Sequence, residues 1–209
     1  MGEAAMTIPE PQPEALAMDS IIRLDGVGWA DYQRLLAIRG ERSVPRLTYL
    51  AGALELMSPS ITHESIKSML GRLIEAWCFE NKLDITPYGS WTLENKESLR
   101  GVEPDECYVL GDTLNPVCCD LAIEVIWTSG SINKLDVYLK LGVQEVWIWK
   151  DGAIRVYCLS DEKYQEHSAS DLLAGIDLPQ LLEYIETRPM TRAVREYRAA
   201  LSDAKTSQP

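Results

Sequence analysis

Glu124 sits in the run Asp120-Leu-Ala-Ile-Glu-Val-Ile-Trp127, flanked on both sides by residues that belong in a protein interior. An ionised carboxylate in such a segment costs several kcal/mol unless a cation, a metal or a backbone amide compensates it. A lysine partner or an amide cap would account for Glu124 as well as chemistry would. Asp105 shifts that balance. Glu103-Pro104-Asp105 opens the preceding apolar segment, and proline is tolerated at the first position of a strand. Taken alone, Asp105 is a turn aspartate after a proline. If the two segments are neighbouring strands, Asp105 and Glu124 project from one edge of a sheet. Two carboxylates that close either share a proton or hold a divalent cation. Mg²⁺ needs only one or two carboxylates when phosphate oxygens complete its shell.

Other titratable groups carry less. His63 and Glu64 stand near the start of a helical segment. A first-turn histidine is ordinarily a cap-type residue, and Glu64 complements the helix dipole. His167 has no partner at a meaningful spacing and reads as a surface residue. The five cysteines, Cys78, Cys107, Cys118, Cys119 and Cys158, are odd in number and irregularly spaced. That suits reduced thiols in a cytoplasmic protein. Cys107 and the Cys118-Cys119 pair could meet on adjacent strands around zinc, but no C-x-x-C unit or histidine accompanies them, so the expectation is against it. Trp127, Trp147 and Trp149 alternate with aliphatics and read as core rather than as base-stacking residues. There is no G-x-S-x-G elbow, phosphate-binding loop of the G-x-x-x-x-G-K-[ST] type, or G-x-G-x-x-G turn.

The elements that must position these residues can be read from periodicity. Residues 1–19, with Pro9, Pro11 and Pro13, are expected to be a flexible arm, 20–201 a single domain and 202–209 a frayed tail. Trp29 to Arg39 fits a helix stopped by Gly40, and Leu47 to Met57 fits a hairpin turning at Ala51-Gly52. Ser60 is a plausible N-cap for a helix from Ile61 to Asn81, with Ile66, Leu70, Leu73, Ile74 and Trp77 on one stripe. Ile85 to Leu93, Glu106 to Leu110 and Leu121 to Trp127 read as strands. Ile132 to Leu141 reads as a helix, followed by strands Val146 to Trp149 and Ile154 to Leu159. Helices Leu178 to Glu186 and Thr191 to Leu201 close the chain. The pattern is an α/β or α+β domain around a mixed sheet.

The chain has 209 residues, 46% of them apolar, enough for one large core without disulfide or metal support. Its 20 basic and 32 acidic residues leave a net charge of −12, which argues against sequence-independent nucleic-acid binding through a basic surface. It does not exclude an enzyme that recruits cations with carboxylates. No apolar run approaches a membrane span, and the start lacks the basic and apolar regions of a secretory signal. Met6 occupies the position where a myristoylation motif wants Ser or Thr.

Pro104-Asp105, Glu124 on the next strand, Thr128-Ser-Gly130 and a helix with Lys134 and Tyr138 together resemble the PD-(D/E)XK nuclease superfamily. The resemblance is closer to the Uma family, described as restriction endonucleases. It extends to Gly52-Ala-Leu-Glu-Leu-Met-Ser-Pro-Ser60, to His63 and to Gly142-Val-Gln-Glu-Val-Trp-Ile-Trp149, covering residues 28 to 185. The resemblance implies a restriction-endonuclease-like fold, a mixed central sheet flanked by helices with an N-terminal helix and hairpin. It implies that Asp105 and Glu124 hold Mg²⁺ or Mn²⁺. The superfamily's usual lysine, two positions after the acid, is absent, because that position is Ile126. Lys134 takes the place of the family's relocated lysine, and Lys140 points to another helix face. His63 matches a family histidine.

These features lead to the expectation of a metal-dependent endonuclease that hydrolyses DNA with an activated water, using Asp105, Glu124, Lys134 and His63. A homodimer is expected, since two strands need two single-site copies. The −12 charge and the missing strand lysine leave open a non-catalytic binding or regulatory module. A hydrolase of a small phosphoester is the third reading.

Overall fold

Apolar periodicity and turn residues divide the chain into eleven strands and five helices among residues 18–128 and 130–206, which the computed structural model describes. The first part comprises β1 (Ser20–Asp25), α1 (Trp29–Arg39), β2 (Arg46–Leu50), β3 (Ala53–Ser58) and α2 (Ile61–Asn81). Four strands follow, β4 (Ile85–Pro87), β5 (Leu93–Asn95), β6 (Arg100–Val102) and β7 (Glu106–Leu110). Then come β8 (Leu121–Val125), α3 (Lys134–Leu139), β9 (Glu145–Lys150), β10 (Ala153–Ser160) and β11 (Lys163–His167). The chain ends on α4 (Leu178–Leu182) and α5 (Met190–Thr206).

The strands form two sheets. One is antiparallel in the order β1-β3-β2-β6-β5; the other, β11-β10-β9-β8-β7-β4, is mixed because β8 and β9 run parallel. Parallel neighbours need a crossover, and α3 supplies it. β8 is buried on both faces, which explains its almost unbroken apolar run. Leu121, Ile123 and Val125 pack with the apolar stripe of α2 and with Ala193, Tyr197 and Leu201 of α5. Ala122, on the opposite face, packs with Val137 and Tyr138 of α3, and Cys107 and Val109 of β7 share that cluster. By the period of two along a strand, Asp105 and Glu124 belong to this second face, between the sheets.

The antiparallel sheet has the complementary pattern. Leu47, Tyr49 and Leu54 pack with Tyr32 of α1, which sends Arg46, Thr48 and Glu55 toward the mixed sheet. Tyr32 and Tyr49 stack with ring centroids 4.9 Å apart.

Helix α2 starts where Ser60 caps it, the hydroxyl accepting from the His63 amide at 3.1 Å. It stops at Lys82, in a left-handed conformation with φ 55°. Several expectations need correction. The segment from Ile85 to Leu93 is not one strand: Gly89, at φ 58°, turns the chain so that β4 and β5 enter different sheets. Helix α3 is shorter than expected, because the Asn133 side chain caps it at Leu135. β1, β6 and β11 were not anticipated; β1 and β11 are mostly exposed edge strands, and β6 spans three positions. Helix α5 runs to Thr206, into the expected tail. The expected arm lies outside the described residues over positions 1–17, as does the tail over 207–209.

Candidate active site between the sheets

β7 and β8 pair antiparallel with Glu106 opposite Ile123 and Cys107 opposite Ala122. One step further, the same register sets Asp105 opposite Glu124. Directly opposed side chains on one face have Cβ atoms about 4.5–5.5 Å apart, so the two carboxylates share one small space. Both residues are fully buried. The Val125 amide donates to Asp105 Oδ2 at 2.7 Å, which locks the aspartate to the strand that carries its partner.

Cations from three other elements converge on this pair. Arg46, first residue of β2, donates to Asp105 Oδ1 and, at 2.7 Å, to Glu64 Oε1 in the first turn of α2. His63 Nε2 lies 3.0 Å from the same Asp105 oxygen, while its Nδ1 lies 3.1 Å from Asp19 Oδ2. Lys134 Nζ, at the start of α3, is 2.5 Å from Glu124 Oε2, and the Tyr138 hydroxyl donates to Glu124 Oε1. Asp19 is itself buried and accepts from the Ser60 amide at 2.8 Å.

Burial alone would discharge the His63 ring, but hydrogen bonds to Asp105 and Asp19, with their charges, raise its pKa to about 9. The ring is therefore a cation bridging two carboxylates at neutral pH. Burial also works against an ionised Asp105, yet the His63 hydrogen bond and the charges of Lys134 and Arg46 hold it well below the usual carboxylate range. Glu124 goes the other way. Burial, with the charge of Asp105, lifts it to about 6 against the pull of Lys134. Lys134 stays charged because Glu124 and Asp105 outweigh its burial.

The cluster borders a cavity of about 220 Å³ between the two sheets, at the carboxyl ends of β8 and β9. Arg46 and Lys134 line it, as do Asp19, Glu55, Thr128 and Lys150. Glu55 is buried and anchored by the Ser131 amide at 2.8 Å and the Ser131 hydroxyl at 3.0 Å.

All four residues singled out from sequence, Asp105, Glu124, Lys134 and His63, are brought together, and Glu64 joins through Arg46. Lys140 is exposed. Arg46, Glu55 and Asp19 were missed as site residues. The first two sit at the polar positions of an ordinary strand alternation, in Arg46-Leu-Thr-Tyr-Leu50 and Leu54-Glu-Leu-Met57, a pattern that reads as a solvent face. Asp19 carried no signal either, being read as part of a polar arm. Glu103 serves the scaffold: it is buried, bridges Arg39 at 2.5 Å and accepts from the Leu47 amide at 2.8 Å. Trp147 and Trp149 are core, while Trp127 is 39% exposed and stacks on Trp149 at 6.1 Å. Cys107 and Cys118 do meet, through the thiol of Cys119. His167 is not the unpartnered surface residue expected: the hairpin of β10 and β11 returns it to within 3.3 Å of Asp171.

A family model named Uma2, with the description "Putative restriction endonuclease", matches residues 29–191 of this chain. A comparison with curated proteins gives no match. Among solved structures, a protein from Anabaena variabilis ATCC 29413 titled "putative nuclease belonging to DUF820" aligns with 78% of this chain and 96% of its own at 15% identity, with a TM-score of 0.48.

Proposed function

Because the chain belongs to the Uma2 family, we propose that it is a metal-dependent nuclease hydrolysing phosphodiester bonds in DNA with water as the nucleophile. The observation that carries this reading is the directly opposed, fully buried pair Asp105 and Glu124, whose partners Arg46 and Lys134 line the inter-sheet cavity. The donor set suits Mg²⁺ or Mn²⁺. Carboxylate oxygens are hard ligands, and burial, with the charge of Asp105, raises the pKa of Glu124 against the pull of Lys134. Asp105 and Glu124 would hold the cation. When bound, it would lower the pKa of a coordinated water and offset charge on the scissile phosphate.

The remaining roles belong to the chain's own groups. Lys134 faces the cavity and contacts Glu124, so its ammonium is placed to orient the attacking water and stabilise charge developing on phosphate oxygens. Arg46 offers a second positive group on the same wall. Without a bound ion, Asp105 and Asp19 hold the His63 ring in its protonated form. His63 is a positioning residue that keeps Asp105 aligned, with Asp19 holding its far side. Tyr138 does the same for Glu124.

Cutting both strands takes two such sites, hence a homodimer. The free cysteines and the absence, among the described residues, of a helix able to cross a membrane accord with action in the cytoplasm. The ion pairs that already neutralise both acids favour a second reading, a non-catalytic module keeping the fold.

Calorimetric titration of Mn²⁺ into wild type and Asp105→Asn, with supercoiled plasmid then added to the same samples, separates the two. The nuclease binds the ion and nicks DNA, and the variant loses both. Wild type that neither binds Mn²⁺ nor nicks leaves the module.

A further inference from the structure

Away from the inter-sheet cavity, three ligand-bearing side chains of different chemistry converge at the far edge of the mixed sheet. Cys158 on β10 and His167 on β11 lie on one face of their hairpin, because Val156 is paired with His167 and Cys158 with Gln165. Asp171, in the turn after β11, closes over them. Among the described residues, the Cys158 thiol, a ring nitrogen of His167 and a carboxylate oxygen of Asp171 lie within 4.8 Å of one another.

The surroundings hold this geometry in place. Glu145, buried at the start of β9, accepts from the Asp171 amide at 2.9 Å and the Leu172 amide at 3.1 Å. It also accepts from the Ser170 hydroxyl and the Trp147 indole, each at 2.5 Å. The Cys158 thiol points at the same carboxylate, 3.5 Å away. Glu145 therefore pins the turn that carries Asp171; it also accepts from the Cys158 thiol and disfavours the thiolate, so a bound ion has to displace that proton. The site is walled on one side and open on the other: Cys158 is buried, whereas Asp171 faces solvent.

We propose that Cys158, His167 and Asp171 form a binding site for a thiophilic divalent cation of the zinc class, separate from the hard-cation site at Asp105 and Glu124. A tetrahedron with Zn–S near 2.3 Å and Zn–N or Zn–O near 2.0 Å sets its ligand atoms about 3.3–3.5 Å apart. Side-chain rotations of about an ångström bring the three into that range. One thiolate, one imidazole and one carboxylate select zinc-like ions over Mg²⁺, which prefers oxygen alone. Three protein ligands leave the fourth position to water on the exposed side. Binding takes the thiol proton into solvent, so affinity rises with pH. The bound ion ties the β10–β11 hairpin to the following turn.

Co²⁺ titration of the full-length protein tests this, because cobalt bound to a thiolate shows near-ultraviolet charge-transfer absorption that an oxygen site lacks. One equivalent should develop that band in wild type and in Asp105→Asn, and Zn²⁺ should displace it. Cys158→Ser should abolish the band, and His167→Ala and Asp171→Asn should each weaken Co²⁺ binding at least tenfold. Asp171 is exposed, so its variant separates lost ligation from lost folding; circular dichroism checks Cys158→Ser. Absence of the band in wild type, or its survival in Cys158→Ser, which would assign it to the Cys107, Cys118 and Cys119 thiols, overturns the proposal.

Discussion

Lys134 and His63 show how single side chains set the character of the site. Lys134 is the cation on Glu124, and removing one member of a buried pair leaves the other uncompensated, at a cost of about 3–5 kcal/mol. Lys134→Met should therefore lower stability in urea by about that amount, and Glu124→Gln combined with it should recover most of the loss. The same single variant should nick plasmid at least about a hundredfold more slowly, as expected for a group that stabilises transition-state charge. Equal nicking by the variant would remove Lys134 from the mechanism. His63 makes a pH prediction for the metal-free protein. Its pKa rises from 6.5 to about 9 on folding, so its contribution is complete below pH 6.5 and lost as pH climbs through 9. The size is about 3 kcal/mol. Unfolding in urea with EDTA present should show that decline between pH 6.5 and 9, and His63→Gln should flatten it.

At the scale of elements, the site depends on how closely the antiparallel sheet meets α1. Gly101 of β6 is opposite Tyr49, and a Cβ there would lie 2.6 Å from the Tyr32 ring carbon that bears the hydroxyl. Tyr32 is fully buried in the stack that sends Arg46 and Glu55 the other way. Gly101→Ala should cost about 1–3 kcal/mol by overpacking. It should also reduce nicking, because the sheet that carries Arg46 shifts; a variant of wild-type stability would show that α1 yields freely. The elements most legible in sequence were those with a strong period or clear punctuation. α2 begins at a serine cap and keeps one apolar stripe through five turns, and β2–β3 turns at Ala51-Gly52. β1 and β11 were invisible for the opposite reason. Each lies at the outer edge of its sheet, mostly exposed, so neither needs an apolar run.

For the whole molecule, the net charge of −12 and the short inventory of cations on the cavity wall, Arg46, Lys134 and Lys150, predict weak nonspecific binding to DNA. Each neutralised phosphate contributes about −0.9 to the slope of log affinity against log salt. Asp105→Asn, titrated with duplex DNA at several salt concentrations, should give a slope no steeper than about −3. A slope near that of a basic-groove protein would place the DNA on another face. The sequence by itself determined the residues that physics makes conspicuous: Glu124 stranded in an apolar run and Asp105 behind a proline at a strand start, projecting from one edge of a sheet. Local pattern is enough there, because a buried charge or a broken alternation is visible within a few residues. Only the tertiary structure decided which cations answer those acids. Arg46 and Asp19 lie tens of residues from their partners, and their pairing depends on two sheets packing face to face with the carboxylates between them. The same holds at the far edge, where a hairpin and a pinned turn bring Cys158, His167 and Asp171 together. Sequence shows which side chains need compensation, but the compensating group comes from wherever the fold brings one within a few ångströms, and no periodicity records that distance.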